Sequence, residues 1–306
     1  MRESLLLRLV VATAWIALCG FPQIAHSHLP VQTVFKAFQF TDDQVPTIDG
    51  DLGDWGLVDE SYVVTTENFF DLIDAAETDE SDFSVELRMG WNKNENKLFF
   101  AAQVADDFHQ IDRPVGSAST LIWQDDNMSV YLDADHSGGQ YGNFRNVTAE
   151  EQLQRTGSQA QWFTIAGPPP DDDFFVNFSA AGWYALPEGS FTAASYSVSG
   201  GVGGRAMTNY ELMLVPFDRV DMRAAFLSSE HLLTENEIIG INVEFWDFDA
   251  RGPNLADARW SLSGGQNAHL LADRFTDLLL MPLEGRFQPT SVTATSWGVL
   301  KQSFLP

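Results

Sequence analysis

The sequence predicts an all-β protein, an antiparallel β-sandwich of the jelly-roll or immunoglobulin type with long loops and few short helices. Two observations carry this: apolar residues recur at alternate positions in many short runs, and turn-forming clusters separate those runs. A third supports it, because helical periodicity is confined to Asp218–Leu227 and to the last dozen residues. Many short strands with this punctuation form sandwiches rather than helical or alternating α/β folds.

The clearest strand is Phe83 to Trp91, where every odd position is apolar. The polar turn Asn92-Lys93-Asn94-Glu95-Asn96 leads into Leu98–Val104, so the two runs form a hairpin. Further strands are predicted at Val34–Phe40, Met128–Leu132, Gln161–Ile165, Tyr210–Val215, Ile238–Phe245 and Leu278–Met281. Between them lie Ser137-Gly138-Gly139, the Pro168–Asp173 run and the Gly-rich Ser199–Gly204.

The chain ends are set apart from this pattern. Arg2 and Arg8 precede an apolar run from Leu9 to Phe21, followed by Ala25-His26-Ser27, which reads as a secretory signal over residues 1–27. The apolar run is too short to span a bilayer, so no membrane span is expected after cleavage, and a secreted, periplasmic or extracellular location follows. Residues 28–289 are assigned to one sandwich domain. Residues 290–306 form a tail in which Trp297, Leu300, Lys301 and Phe304 fall at helical spacing, a short amphipathic element. The one cysteine, Cys19, lies in the signal, so no disulfide braces the domain.

Charge excludes one class of partner. With 17 basic against 43 acidic residues and a formal charge of -26, the chain lacks the basic face that nucleic acids require. No nucleophile elbow, phosphate-cradling loop or His-Glu-x-x-His motif is present. Among so many carboxylates no pair is singled out for glycoside hydrolysis.

What stands out is acidic turns beside tryptophans. Asp49, Asp51 and Asp54 lie in a Gly-punctuated turn ending at Trp55, and Asp133-Ala134-Asp135-His136-Ser137-Gly138 copies the first half of an EF-hand loop. Both suit a hard cation such as Ca²⁺, and both also suit Asx turns. Phe144 stands where an EF-hand needs its bidentate Glu, so the second is no EF-hand. Asp171–Asp173 and Asp247/Asp249 are further clusters, read as solvated. Nine tryptophans, eight of them beyond the signal, exceed what a core of this size needs, and indole faces stack on the C–H faces of pyranose rings.

Several blocks resemble one family. Pro46-Thr47-Ile48-Asp49-Gly50 through Trp55 is similar to the opening "P-x-I-D-G-x-x-x-x-W" of the family 9 carbohydrate-binding modules. The others follow in the family's order: Lys97–Asp107 resembles its "LY-aa-V-D" strand, Trp123–Asp133 its "W-x-x-D-x-x-E-x-x-x-D" block, Tyr210–Phe217 its "Y-x-x-E-x-x-I-P" strand. Ile239–Asp247 resembles "I-G-F-x-V-x-x-N-D", with Trp260 after it. The match runs from Pro46 to Met281.

The resemblance implies a sugar-binding β-sandwich, attached to or accompanying glycoside hydrolases, with structural Ca²⁺. Its ligand is a polysaccharide or oligosaccharide, and its partners a glycoside hydrolase or a cell-surface assembly. Two tryptophans would sandwich a terminal sugar, here Trp123 and Trp260, with Asp126 at its edge. Ser129 replaces the block's Glu, and Trp246 its Asn, exchanging polar contacts for an aromatic. The metal candidates are Asp49, Asp51, Asp54, Asp133 and Asp135. Two other functions stand beside the binding module. One is a haem-binding redox domain of related sandwiches, with Met89, Met128, His109 or Met207 as axial ligand. The other is a glycoside hydrolase.

Overall fold

The computed structural model describes residues 29–287, apart from 31–32, 118, 172, 179–180, 185, 187 and 250–254. The predicted signal and the C-terminal tail lie outside the described residues. Fifteen strands run in the order β1 Val34–Gln39, β2 Val64–Thr65, β3 Phe70–Asp71, β4 Phe83–Asn92, β5 Lys97–Asp106, β6 Asn127–Asp133, β7 Gln161–Ile165 and β8 Phe175–Asn177. They continue as β9 Thr192–Gly200, β10 Ala206–Leu214, β11 Phe217–Arg219, β12 Ser229–Glu230, β13 Ile238–Asp247, β14 Ala258–Ser261 and β15 Thr276–Leu280.

Two layers face each other. One follows the order β8-β7-β6-β13-β15-β1, with β14 on the far end of β13; the other follows β1-β4-β5-β10-β9. Strand β1 belongs to both, its first half beside β15 and its last residues beside β4. Both of its pairings are parallel, the one departure from the antiparallel expectation. Parallel neighbours need a long crossover, and here almost the whole domain separates β1 from β15.

The alternation read in the sequence is the alternation of burial. Phe83, Val85, Leu87, Met89 and Trp91 of β4 point between the layers and meet Val130, Leu132, Ile241, Val243 and Leu278 from the other layer in one apolar core. The close approach of β1 to β4 requires Gly90, where a Cβ would lie 2.2 Å from the ring of Phe40.

Loops cover both outer faces. Residues 45–62 lay Trp55, Val58 and Tyr62 over Phe38, Phe40, Phe99 and Met213 on the back of the second layer. On the back of the first layer, Tyr141, Ala268, Ala272 and Phe275 pack around Tyr131, while Ile122, Ala166 and Val176 form a separate patch.

Helical readings fare differently. Asp218–Leu227 is not a helix: it holds the end of β11, a turn, and one 3₁₀ turn at Ala225–Leu227. The single described α-helix, α1 at Ala149–Arg155, falls outside both segments with helical periodicity. Its start is a capping box, with Thr148 Oγ1 accepting from Glu151 N and Glu151 accepting from Thr148 N.

Candidate functional site

The outward row of the first layer is set by register. Tyr131 pairs with Asn242, Ser129 with Glu244 and Asn127 with Trp246 across β6 and β13. Tyr131 also pairs with Trp162 on β7, and Trp246 with Arg259 on β14. Paired residues in an antiparallel ladder face the same side, so these side chains share the back of the layer.

Between the two loop coverings this row stays open. A cleft of about 340 Å³ is lined by Trp123, Tyr131, Trp162, Phe178, Trp246, Arg259 and His269. Trp123 comes from the 3₁₀ turn Ser119–Gln124 ahead of β6, and its ring centroid lies 6.3 Å from that of Trp246 at 61°. Trp162 stacks on Phe178 at 4.0 Å and on Tyr131 at 5.4 Å. The guanidinium of Arg259 sits 5.2 Å over the Trp246 ring. The indole N–H of Trp246 is buried without an acceptor, a donor with no partner in the protein.

Beneath the rings lies a polar floor. Tyr131 Oη donates to Glu244 Oε2 at 2.9 Å, and Asn242 Nδ2 donates to Glu244 Oε1 at 3.0 Å. Burial pushes the Glu244 carboxyl above its ordinary value, and the charge of Arg259 with those two hydrogen bonds pulls the other way. Burial lowers His269, and the nearby Arg259 charge lowers it further, so its imidazole is neutral at pH 7. The carboxylate that the family resemblance places at residue 129 reappears one strand across, since Glu244 is the register partner of Ser129. Ser129 itself is buried and closed, donating to Asn127 Oδ1 at 3.1 Å and bonded to Thr164 Oγ1 at 2.7 Å.

A smaller lobe of about 160 Å³ continues beyond Trp162, Phe178 and His269, which line both spaces. Tyr141, Asn143, Thr156 and Leu270 form its far side.

Of the sequence-predicted sugar residues, Trp123 and Trp246 meet in the cleft and two do not. Trp260 is only 3% exposed and stacks on Phe83 inside the core, at 5.8 Å and 14°. The reason is parity, because Trp260 pairs with Phe245, whose side chain points inward, while its neighbour Arg259 pairs with the outward Trp246. Asp126 also faces away from the cleft. Its oxygens accept from Gln110 N at 2.5 Å and Phe248 N at 2.8 Å, and it lies 3.2 Å from His109 Nδ1. It ties the loop after β5 to the loop after β13.

Among the described residues the five predicted metal ligands do not gather in one group of three, although Asp133 and Asp135 adjoin each other. Asp49 Oδ1 accepts from Asp51 N, Asp51 Oδ1 from Gly53 N and Asp54 Oδ2 from Thr47 N, all within 2.9–3.0 Å. Asp133 Oδ2 accepts from Gly138 N at 2.7 Å and Asp135 Oδ1 from Ser137 N at 3.2 Å. The contacts of Asp49, Asp51 and Asp135 are Asx turns, while Asp54 and Asp133 reach backbone N–H groups seven and five residues away. Among the described residues, none of the five joins a group of three acidic or histidine side chains with ligand atoms within 4.8 Å of one another. Of the four haem-ligand candidates, Met89 and Met128 are fully buried in the core and Met207 is exposed on β10. His109 borders a cavity of about 10 Å³, far below the size of a porphyrin.

Sequence reasoning missed Trp162, Phe178, Arg259, His269 and Glu244. Only Trp162 carried a usable signal, an indole within a correctly placed strand at Gln161–Ile165.

No protein-family model matches the chain, and no curated protein does. Among solved structures, a family 9 carbohydrate-binding module from Caldicellulosiruptor kristjanssonii in complex with glucose matches at 13% identity and a TM-score of 0.51. The match covers 84% of this chain and 100% of that one. The same module in complex with cellotriose matches at 13% identity and a TM-score of 0.52, over 84% and 98%. The chain therefore has a fold like that of the family 9 modules.

Proposed function

We propose that this chain is a secreted, non-catalytic carbohydrate-binding protein whose ligand lies in the Trp123–Trp246 cleft. The observation that carries the reading is the convergence of three tryptophans from separate elements on one open cleft above a buried carboxylate. Indole faces suit the C–H faces of a pyranose, while Arg259, His269 and the unpartnered Trp246 N–H suit its hydroxyls. The solved neighbours of like fold bind glucose and cellotriose, which agrees with this choice of ligand.

The cleft favours binding over hydrolysis. A glycosidase needs two carboxyl groups flanking the scissile bond. Among the described residues no carboxylate lines this cleft, and Glu244 is buried beneath it under Tyr131.

The second lobe favours a chain over a single sugar, because a ligand crossing the Trp162–Phe178 platform reaches both spaces. Ring stacking contributes on the order of 1 kcal/mol per face, so affinity in the micromolar to millimolar range is expected. The signal-like N-terminus supports export, and polysaccharide breakdown beside a glycoside hydrolase or cell-surface assembly is the setting that fits. A glycan array, followed by calorimetry with oligosaccharides of increasing length from the best series, tests the reading. Affinity should rise from the monosaccharide to the trisaccharide; an array without binders would overturn it.

A further inference from the structure

A sugar hydroxyl both donates and accepts, so a site for a neutral pyranose sets acceptors beside its donors. The cleft departs from that balance. Of its lining side chains, the indoles of Trp123, Trp162 and Trp246 and the guanidinium of Arg259 can only donate, and Phe178 can do neither. Neutral His269 offers one acceptor nitrogen, and Tyr131 turns its hydroxyl proton toward Glu244.

The acceptors beneath the cleft are already engaged. Glu244 is 2% exposed, with Oε2 accepting from Tyr131 and Oε1 from Asn242. Asn242 Oδ1 in turn accepts from Ser263 N at 2.9 Å and Ser261 Oγ at 3.3 Å. Asp71 on β3, the neighbour of β14, accepts from the backbone N–H groups of Arg259, Ile73 and Asp74 at 2.9–3.1 Å.

Arg259 is the one cation among the described lining residues, and it is held in place. Its guanidinium lies over Trp246, and Nη2 donates to Gln266 Oε1 at 3.0 Å, while Gln266 Nε2 is anchored to Leu72 O at 2.8 Å. Nε is buried without an acceptor, and Nη1 makes no hydrogen bond among the described residues. No described carboxylate forms an ion pair with this guanidinium. Glu244 is close enough to feel its charge, but both Glu244 oxygens are turned to Tyr131 and Asn242.

We infer that the cleft takes an acidic pyranose, a uronic acid residue that stacks its ring against Trp123 and Trp246 and sets its carboxylate on Arg259. The inference rests on the sugar reading and narrows the ligand of that same site. A carboxylate is planar and only accepts, which matches a planar fork that only donates. A hydroxymethyl group brings a proton of its own, and no described carboxylate lines the cleft to take it. The formal charge of -26 opposes an anionic ligand at long range, but salt screens that field beyond about 8 Å at physiological ionic strength. Pairing with Arg259 acts at contact.

The test titrates the full chain by calorimetry in about 0.15 M NaCl. The probes are trisaccharides of the gluco, galacto and manno series, each as the neutral sugar, the uronic acid and the methyl ester of that acid. In at least one series the acid should bind about tenfold more tightly than the neutral sugar and the ester, which keeps the size and loses the charge. Arg259→Gln should bring the acid down to the affinity of the ester, with ester binding and the thermal midpoint near wild type. Arg259→Lys, a point charge without the fork, should keep only part of the preference. If Arg259→Gln does not fold, the comparison of acid with ester in the wild type decides. Neutral sugars or esters bound as tightly as the acids in every series would overturn the inference and leave the sugar reading standing, as would an acid preference undiminished in Arg259→Gln. Binding by no member of any series would overturn both.

Discussion

The two outer faces of the sandwich both set acidic residues beside tryptophan, yet one is closed and the other open. On the second layer, Trp55 is 1% exposed and its Nε1 donates to Glu211 Oε1 at 2.9 Å. The other oxygen of Glu211 accepts from Gly50 N at 2.7 Å and Asp49 N at 3.0 Å, while the aspartates of the turn cap one another's backbone. Each of these donors has an acceptor, and Gly50, at φ +88°, lies so close to Tyr196 that a Cβ would touch its carbonyl at 2.8 Å. On the first layer, Trp123 and Trp246 border free volume and the Trp246 N–H has no acceptor. Both regions set a tryptophan near a buried glutamate, Trp55 at Glu211 and the cleft rings above Glu244. What separates a structural turn from a binding site is whether its polar groups are already satisfied within the protein.

The largest expected effect falls on the closed face. Glu211→Ala strips three donors of their acceptor and should cost about 3 kcal/mol in urea denaturation, with sugar affinity unchanged. A loss below about 1 kcal/mol would mean that the turn is held by its own Asx bonds instead.

On the open face, Trp246→Ala removes a stacking surface and the partner of Arg259. Calorimetry should record about a tenfold loss of affinity, equivalent to roughly 1.4 kcal/mol, with a thermal midpoint within a few degrees of wild type. A steep fall in the midpoint would class Trp246 with Trp55 and erase the contrast between the faces.

A smaller effect concerns Asp133, whose carboxyl is pushed up to about 8 by burial first and by nearby Asp135 next. The folded state thus holds a proton that the unfolded chain releases near pH 4, and stability should decline as pH rises from about 4 to about 8. Asp133→Asn should flatten that part of the pH–midpoint curve. An unchanged slope would assign the dependence to other buried carboxyls.

The smallest effect belongs to the turn itself. Asp51→Ala loses one cap to Gly53 N and should cost between about 0.5 and 1 kcal/mol.

The fold was legible because the β4–β5 hairpin alternates without a break, and burial follows that alternation. Strand β9 was not, since Thr192–Gly200 is small and polar at most positions and is held mainly by its ladder to β10. Helix α1 announced itself only through Thr148 and Glu151, a local signal inside a stretch without apolar period. The site was half legible. Trp123 and Trp246 follow from the family blocks, but Trp260 was misplaced by one residue of strand parity. That parity depends on a pairing between β13 and β14 that no local pattern encodes. Glu244 was hidden for a related reason, because its link to Ser129 exists only across the ladder.

The central claim is that the open face binds sugar while the closed face only holds the fold. Trp123→Ala tests it most directly, read by calorimetry against the best oligosaccharide of the array and by thermal unfolding of the same preparation. Binding should vanish while the midpoint stays near wild type. If binding survives, or if midpoint and binding fall together, Trp123 is a packing residue and the cleft is not the site.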